Sequence, residues 1–292
     1  MNTGLVIRRR LEEEDLAQIK ELEADCNRAE GIRIKFNWSM MQTRDATYDS
    51  DFCYYHQGQL VGYAPLDRFD ASFEVTAAVL PAYRRQGIFR LLFEAARQEA
   101  IRNQAGELLL VAYPASPAGM ATVARLDVLY TSSEYHMEAQ AAALPALPKG
   151  QIVLEEVTSA NVAHLSRLLA VSFEGARWNA STALLEELQR EDKRYFLAIL
   201  ENEPIGQIGV ISENGSVYIR AVGIAPEWRG RGYGRQLLAT TVQQMLAEGH
   251  THFELDVATN NRHALTLYQS CGFQETTVYD YYKVPLPGSN LA

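Results

Sequence analysis

The chain has 292 residues, 47% of them hydrophobic and 22% charged, and a formal net charge of −9. That length is a prior for two domains, because a single core rarely grows much beyond about 250 residues. The acidic balance argues against a nucleic-acid partner, no apolar run approaches the roughly 18 residues that a membrane span needs, and the N-terminal stretch does not read as a secretory signal, so a cytoplasmic globular protein is expected.

The first predicted strand is LVIRRR, starting at Leu5. Cys26 and Cys53 follow, and with Cys271 they make three cysteines, far apart and odd in number. They read as free buried thiols of a reducing compartment with no metal-ligand spacing, so no metal is expected. The segment AAVLPAYRRQGIFRLLFEAA (77–96) is then a weaker copy of RAVGIAPEWRGRGYGRQLLATT further on. An offset of 145 residues carries Pro81 onto Pro226, Arg84 onto Arg229 and Gly87 onto Gly232. The same offset brings the opening strand to QIVLEEV. Between the copies, AAALPALPKG (141–150) has the prolines and glycine of a linker. Two similar domains in tandem are therefore expected, 1–145 and 146–292.

The second copy is easier to follow. QIVLEEV alternates as a strand, and TSANVAHLSRLLAVSF has helical spacing with Thr158 or Ser159 as cap. STALLEELQRED suggests another short helix. RYFLAILEN, PIGQIGVISEN and SVYIRAVGI read as three strands, with Asn214-Gly215 as the tight turn of an antiparallel hairpin. Helical spacing resumes from Tyr233 to about Glu248, and Gly249 stops it. THFELDV alternates as a strand, Asn260 or Asn261 caps RHALTLYQSC, and FQETTVYDYYKV closes as a strand. The fold class expected is α/β: two domains, each a mixed, mostly antiparallel sheet flanked by helices.

RGRGYG (229–234) lies where a strand ends and a helix begins. Glycine lets the backbone turn tightly and lets another group approach it. A helix start has unpaired N–H groups and partial positive charge, and Arg229, Arg231 and Arg235 add to it, so an anion is the expected visitor. A P-loop needs a Lys-Ser/Thr that is missing here, and the dinucleotide fingerprint needs Gly-x-Gly-x-x-Gly on the first strand of its unit. Neither fits.

With its downstream partner LDVATNNRHALTLYQSCGF, the loop resembles the GNAT superfamily of acyl-CoA-dependent N-acyltransferases. The family's Arg/Gln-x-x-Gly-x-Gly/Ala pattern is met by Arg229, Gly232 and Gly234, and its Asn…Ala…Leu-Tyr…Gly-Phe pattern by Asn261, Ala264, Leu267, Tyr268, Gly272 and Phe273. The resemblance covers essentially all of 150–285. For 1–140 it covers the order of elements and one altered loop. It implies that the backbone of Arg229, Gly230, Arg231, Gly232, Tyr233 and Gly234 would hold the pyrophosphate of acetyl-CoA. Val222, Gly223 and Ile224 would pair with the pantetheine arm, in a gap that a bulge opens between two strands. Asn261 would contact the arm too. The tetrahedral oxyanion would take a hydrogen bond from a backbone donor such as the Ile224 N–H, and Tyr268 would return a proton to the leaving thiolate.

The general base is open. The histone-modifying branch has a Glu where this chain has Tyr218, a departure that points away from protein lysines. Glu174 and a water relay are other candidates, although Glu174 also reads as a solvated loop carboxylate. His252, His263 and Asp256 read as structural, Tyr268 also as a packed aromatic, and the YDYY run (279–282) as an edge strand that could line the acceptor pocket. Tyr218 and Arg220 share one face of their strand. Arg220 reads either as a clamp for an anionic amine or as one end of a salt bridge to an internal carboxylate such as Asp256.

In the first copy, Phe89 replaces the last small residue of the loop, and ASPAGMATVARLDVLY lacks the Asn…Leu-Tyr…Gly-Phe pattern. A degenerate half that supports the second one is expected. The overall expectation is acetyl transfer from acetyl-CoA to a small amine, an amino acid or related metabolite. Other readings are an acyl-CoA sensor, a protein-interaction scaffold, or acetylation of a protein or peptide amine.

Overall fold

The computed structural model describes residues 3–44, 46–69, 71–143, 150–173, 184–185, 187–213 and 215–287. The chain divides into two compact units, Met1–Tyr135 with Thr276–Ala292, and His136–Glu275. Both are α/β, with a mixed and mostly antiparallel sheet flanked by helices, as the sequence leads one to expect.

In chain order the first part contains β1 (Gly4–Arg8), α1 (Glu13–Glu30), α2 (Trp38–Gln42), β2 (Asp51–His56), β3 (Gln59–Phe69), β4 (Ser72–Val75), β5 (Ala78–Val79), α3 (Ile88–Arg102), β6 (Glu107–Ala112), α4 (Pro117–Val123) and β7 (Leu129–Gln140). A capping box between Glu12 and Asp15 starts α1, with acidic residues in its first turn, and left-handed Gly31 ends it. β1, β2 and β3 pair antiparallel, and β3 continues onto β4 and β5. β4 and β6 pair parallel. Phe52, Tyr63, Phe73 and Leu92 are among the large side chains wholly buried in this unit.

The second part contains β8 (Val153–Glu156), α5 (Val162–Ser172), β9 (Lys193–Leu200), β10 (Glu203–Glu213), β11 (Ser216–Ile224), α6 (Tyr233–Ala247), β12 (His252–Ala258), α7 (Arg262–Ser270) and β13 (Gln274–Lys283). β8, β9, β10 and β11 form an antiparallel meander, and β12 joins β11 in parallel. Leu165, Leu168 and Leu169 of α5 pack with Tyr195 and Leu197 of β9, so this helix covers one face of the meander. The cap of α5 is Asn161, not Thr158 or Ser159, and its Oδ1 accepts from the Thr158 N–H at 2.7 Å. Most of the short helix expected over 181–192 lies outside the described residues, as do the centre of the 141–150 linker and Asn214.

One strand goes elsewhere than the sequence suggests. β13 forms as the closing strand, but Asp280–Lys283 pair antiparallel with Ala112–Leu109 of β6, and Thr276 onward belongs to the first unit. Burial explains the placement. Tyr279 and Tyr281 alternate into the first unit's core, where Tyr279 meets Tyr113 edge-on at 5.7 Å, and Thr277 accepts from the Arg33 N–H. The YDYY run is therefore an interior strand: Tyr281 C=O also accepts from Thr131 of β7 at 2.9 Å. All three cysteines are free and buried.

Candidate active site

The geometry of the second unit turns on β11. Gln207 of β10 faces Gly223 and Gly209 faces Arg220, so three steps along β11 match two along β10. The extra residue forms a bulge at Ala221, which takes the left-handed conformation at φ 52°. On the other side, the pairing of β11 with β12 covers Ser216–Tyr218 against His252–Glu254, while both strands continue to Ile224 and Ala258. A gap opens beyond Tyr218. The Ala225 N–H donates to the Ile205 C=O at 2.8 Å, and antiparallel ladders alternate, so the neighbouring Ile224 turns its N–H and C=O away from β10 and toward that gap.

The Ile224 C=O accepts from Arg229 Nε at 2.8 Å, which ties the loop to the end of the strand. A 3-10 turn at Pro226–Trp228 precedes the loop. Gly230 at φ 76° and Gly232 at φ 83° then take left-handed turns that a side chain would strain. α6 starts at Tyr233 with Gly232 as its cap, and no side chain occupies the cap position. The first-turn N–H groups thus point at the mouth of the loop with helix polarity behind them. Arg231 stacks over Trp228 at 5.1 Å, and Trp228 meets Tyr233 edge-on, so part of the basic loop is packed against its own aromatics. Arg235 is exposed on the first turn of α6.

Asn261 caps α7, its Oδ1 accepting from the Ala264 N–H at 3.2 Å. Two turns on, Tyr268 is buried against Phe273, and burial raises its hydroxyl to a pKa of about 12. The hydroxyl therefore holds its proton throughout the physiological range.

Tyr218 and Arg220 stand on the same face as Tyr195. The Arg220 guanidinium lies 3.4 Å from Glu187 and 5.7 Å over the Tyr195 ring, and the Tyr195 hydroxyl donates to Glu187 at 2.6 Å. Burial opposes the Glu187 charge, but Arg220, the Tyr195 hydroxyl and Lys193 outweigh it, so its carboxyl lies below the usual range. The sequence offered Asp256 as an example of an internal carboxylate for Arg220; the structure gives it Glu187. Asp256 accepts from the Tyr218 hydroxyl at 3.0 Å and contacts His136 at 2.7 Å. His252 lies 2.9 Å from Glu254. Glu174 lies outside the described residues, and His263 is exposed at the start of α7.

Sequence reasoning missed Gln207 and Ser172. Gln207 is wholly buried in β10, and neither Nε2 nor Oε1 of its carboxamide has a hydrogen-bond partner. The Ser172 hydroxyl, at the end of α5, is equally unpartnered. Each such group costs about 1–3 kcal/mol in a folded protein. A Cβ on Gly223 would collide with Gln207 Nε2 and lie 2.6 Å from Ser172 Oγ, so glycine lets both reach the strand. A polar residue amid IGQIGVI was the available signal for Gln207; Ser172 had none.

The first unit repeats much of this. Arg84 Nε donates to the Val79 C=O at 2.9 Å, the Leu80 N–H donates to Val61, and Gly87 caps α3 at φ 83°. Ser116 caps α4 in the place of Asn261, accepting from the Gly119 N–H at 3.0 Å. A cavity of about 910 Å³ lies here, lined among others by Val79, Arg84, Gly87, Phe89, Tyr113 and Val123. At the 145-residue offset Tyr268 becomes Val123 and Gly234 becomes Phe89, and by strand register Tyr63, opposite Ala78, takes the place that Gln207 has opposite Gly223.

The sequence profile of the Acetyltransferase (GNAT) family matches residues 14–125 and 163–273, more than half of the chain. The chain belongs to the GNAT acetyltransferase family. It is an acyl-CoA N-acyltransferase with the GNAT fold in tandem. Curated relatives include the mycothiol acetyltransferase of Nocardia farcinica, 26% identical over 286 residues that cover 90% of this chain and 92% of that protein. The mycothiol acetyltransferase of Cellulomonas flavigena is 26% identical over 79% of this chain and 73% of its own. Among solved structures, a GCN5-related N-acetyltransferase from Sphaerobacter thermophilus superposes with a TM-score of 0.80 over 98% of each chain at 18% identity. A tandem GNAT protein of the clavulanic acid biosynthesis pathway gives 0.74 over 99% of this chain and 100% of that one, also at 18% identity. These two share the fold. Among the described residues, no helix is long and apolar enough to cross a membrane, and no cluster of His, Cys, Asp and Glu could hold a metal ion.

Proposed function

We propose that the second half, residues 146–292, moves an acetyl group from acetyl-CoA directly to the amine of a small molecule. The observation that supports this most is that β11 and β12 part beyond Tyr218, with Ile224 facing the gap and a protonated Tyr268 on the helix that follows β12. The first half has Val123 in place of Tyr268, and so lacks the acid. Acetyl-CoA supplies the acyl group when bound. The first-turn N–H groups from Gly230 to Gly234 would take its pyrophosphate, and Val222 to Ile224 would pair with its pantetheine arm. The Ile224 N–H is the donor for the tetrahedral oxyanion, and Tyr268 protonates the departing thiolate. Positioning of the amine supplies much of the remainder. Asn261, already the cap of α7, orders the helix that carries Tyr268. Tyr218 and Asp256 stand where the gap begins, on the side from which the amine would enter.

The relatives named mycothiol acetyltransferase support acetyl as the group moved, and a mycothiol-type acceptor belongs in any screen. Buried, unpaired thiols support a cytoplasmic location. The cavity beside Gly87 favours a second reading, in which the first half also holds a CoA-type ligand but transfers nothing. Calorimetric titration with acetyl-CoA separates the two: one site per chain under the first reading, two under the second. Release of free CoA in the presence of an amine panel tests the reaction. Binding without release from any amine would leave an acyl-CoA sensor as the better account.

A further inference from the structure

We infer that Gln207 and Ser172 form the subsite that reads the acceptor, and that the acceptor carries an uncharged amide or hydroxyl close to its reactive amine. The inference rests on the acetyl-transfer reading above. A buried carboxamide with all its hydrogen-bonding positions open is rare, because the group loses its water on folding and gains nothing in return. Here a second unpaired group, the Ser172 hydroxyl, approaches the same point on Gly223.

The point is well placed. Gly223 adjoins Ile224, the residue that faces the gap. Gln207 and Gly223 are register partners, so their side-chain positions share one face of the sheet. That face is the one α5 covers, with Leu197 of β9 paired to Gln207 on its other side. The pantetheine arm would run along the β11 edge, in the gap. Gln207 and Ser172 would instead face the thioester from the α5 side, the side proposed for the acceptor.

The chemistry selects the ligand. A carboxamide offers one accepting oxygen and two N–H donors, and a hydroxyl can do either. An amide or hydroxyl satisfies both roles at once. A carboxylate could accept from Nε2 and the hydroxyl but has no donor to offer Oε1, and a bare alkyl group would leave every position open. A site built to bond a polar group rejects analogues that lack it far more strongly than an apolar pocket rejects an extra methylene. Arg220, a cation on the same face of the sheet, is engaged by Glu187, and Arg229 by the Ile224 carbonyl, so neither is free to favour an anion.

Gln207→Met keeps the shape of the side chain and removes both polar ends. It should raise the melting temperature by about 2–4 °C, because it deletes unpaired groups from the core. Acetyl-CoA affinity by calorimetry should be unchanged. Wild-type kcat/KM for amino-acid amides should exceed that for the matching free amino acids and alkylamines by about tenfold or more, and Gln207→Met should abolish the preference. Ser172→Ala, at the end of a helix and tolerant in folding, should reduce the preference in the same direction by a smaller factor. A wild-type preference for free amino acids, or a preference that survives Gln207→Met, would overturn the assignment. So would loss of acetyl-CoA affinity in that variant, since it would put the carboxamide on the cosubstrate. If wild-type protein binds acetyl-CoA but releases CoA with no amine, the transfer reading itself fails, and the subsite with it.

Discussion

Gly87 and Gly232 each start a 15-residue helix from the left-handed conformation at φ 83°, and Arg84 and Arg229 each tie their loop to the last carbonyl of the preceding strand. Backbone geometry is thus nearly the same in the two halves, and the side chains around it are not. Phe89 stacks on Phe93 at 5.6 Å where the second half has Gly234. Arg85 takes the left-handed turn at φ 62° that Gly230 makes without strain. Val123 stands for Tyr268. The comparison separates the features that build a ligand-shaped scaffold from those that perform chemistry on it. Capping, the arginine tie and the left-handed glycine belong to the first class and occur twice. On the reading proposed above, Tyr268 belongs to the second, with the Gln207–Ser172 pair beside it to read the acceptor, and these occur once.

The sharpest way to break that comparison is a carboxylate in each loop. Gly232→Glu puts a charge and a strained side chain at the start of α6, where an anion is expected. Acetyl-CoA-dependent turnover should fall about a hundredfold or more, equivalent to about 2.7 kcal/mol of lost interaction. Gly87→Glu should leave turnover within about twofold, because the proposed reading places the transfer wholly in the second half. Loss of turnover with Gly87→Glu and its retention with Gly232→Glu would exchange the roles of the two halves.

Tyr268→Phe addresses the chemistry alone. Turnover should fall about ten- to a thousandfold with acetyl-CoA affinity nearly unchanged, since a proton donor matters in the transition state and little before it. With its pKa raised to about 12 by burial, Tyr268 is protonated across the assay range. The pH profile of kcat should therefore show no alkaline fall below about pH 10 that Tyr268→Phe removes. Unchanged turnover under chemistry-limited conditions would make Tyr268 a packing residue.

Much of this was legible in the sequence, and the reason is distance along the chain. The repeat, the loop, a cap at Asn260 or Asn261, the stop at Gly249 and the helix from Tyr233 depend on residues within one or two turns of each other, so spacing and residue type carry them. A bulge in this strand came through resemblance, and its place at Ala221 had no local signal. Contacts between remote segments did not come through. Arg220 finds Glu187, 33 residues earlier, and not the nearer-looking Asp256, which His136 and Tyr218 already engage. Gln207 and Ser172 meet because Gly223 leaves room for them, a fact of packing. β13 joins the first unit because Tyr279 and Tyr281 fit its core, while pattern alone allows a strand in either half.

The smallest effect tests Arg220, whose counterpart in the first half is Val75. Arg220→Gln removes the largest of the contributions that favour the Glu187 charge, while the Tyr195 hydroxyl and Lys193 remain. Loss of one charge-assisted contact in a half-buried setting should cost about 1–2 kcal/mol, lowering the melting temperature by about 2–5 °C. The sign of the pH dependence follows from the depressed Glu187 carboxyl. Its contribution is present above its unfolded pKa, near 4.5, and is lost as pH falls through the lower folded value. The difference between wild type and Arg220→Gln should be widest above about pH 5 and shrink toward pH 3. Because Glu187 holds the guanidinium, KM should change by the same factor for anionic and neutral amines. A selective rise for anionic amines, with an unaltered melting curve, would make Arg220 an acceptor clamp and would count against an uncharged acceptor at Gln207. Thermal melts at pH 3.5 and 7, run beside the two KM series, distinguish the outcomes on one pair of proteins.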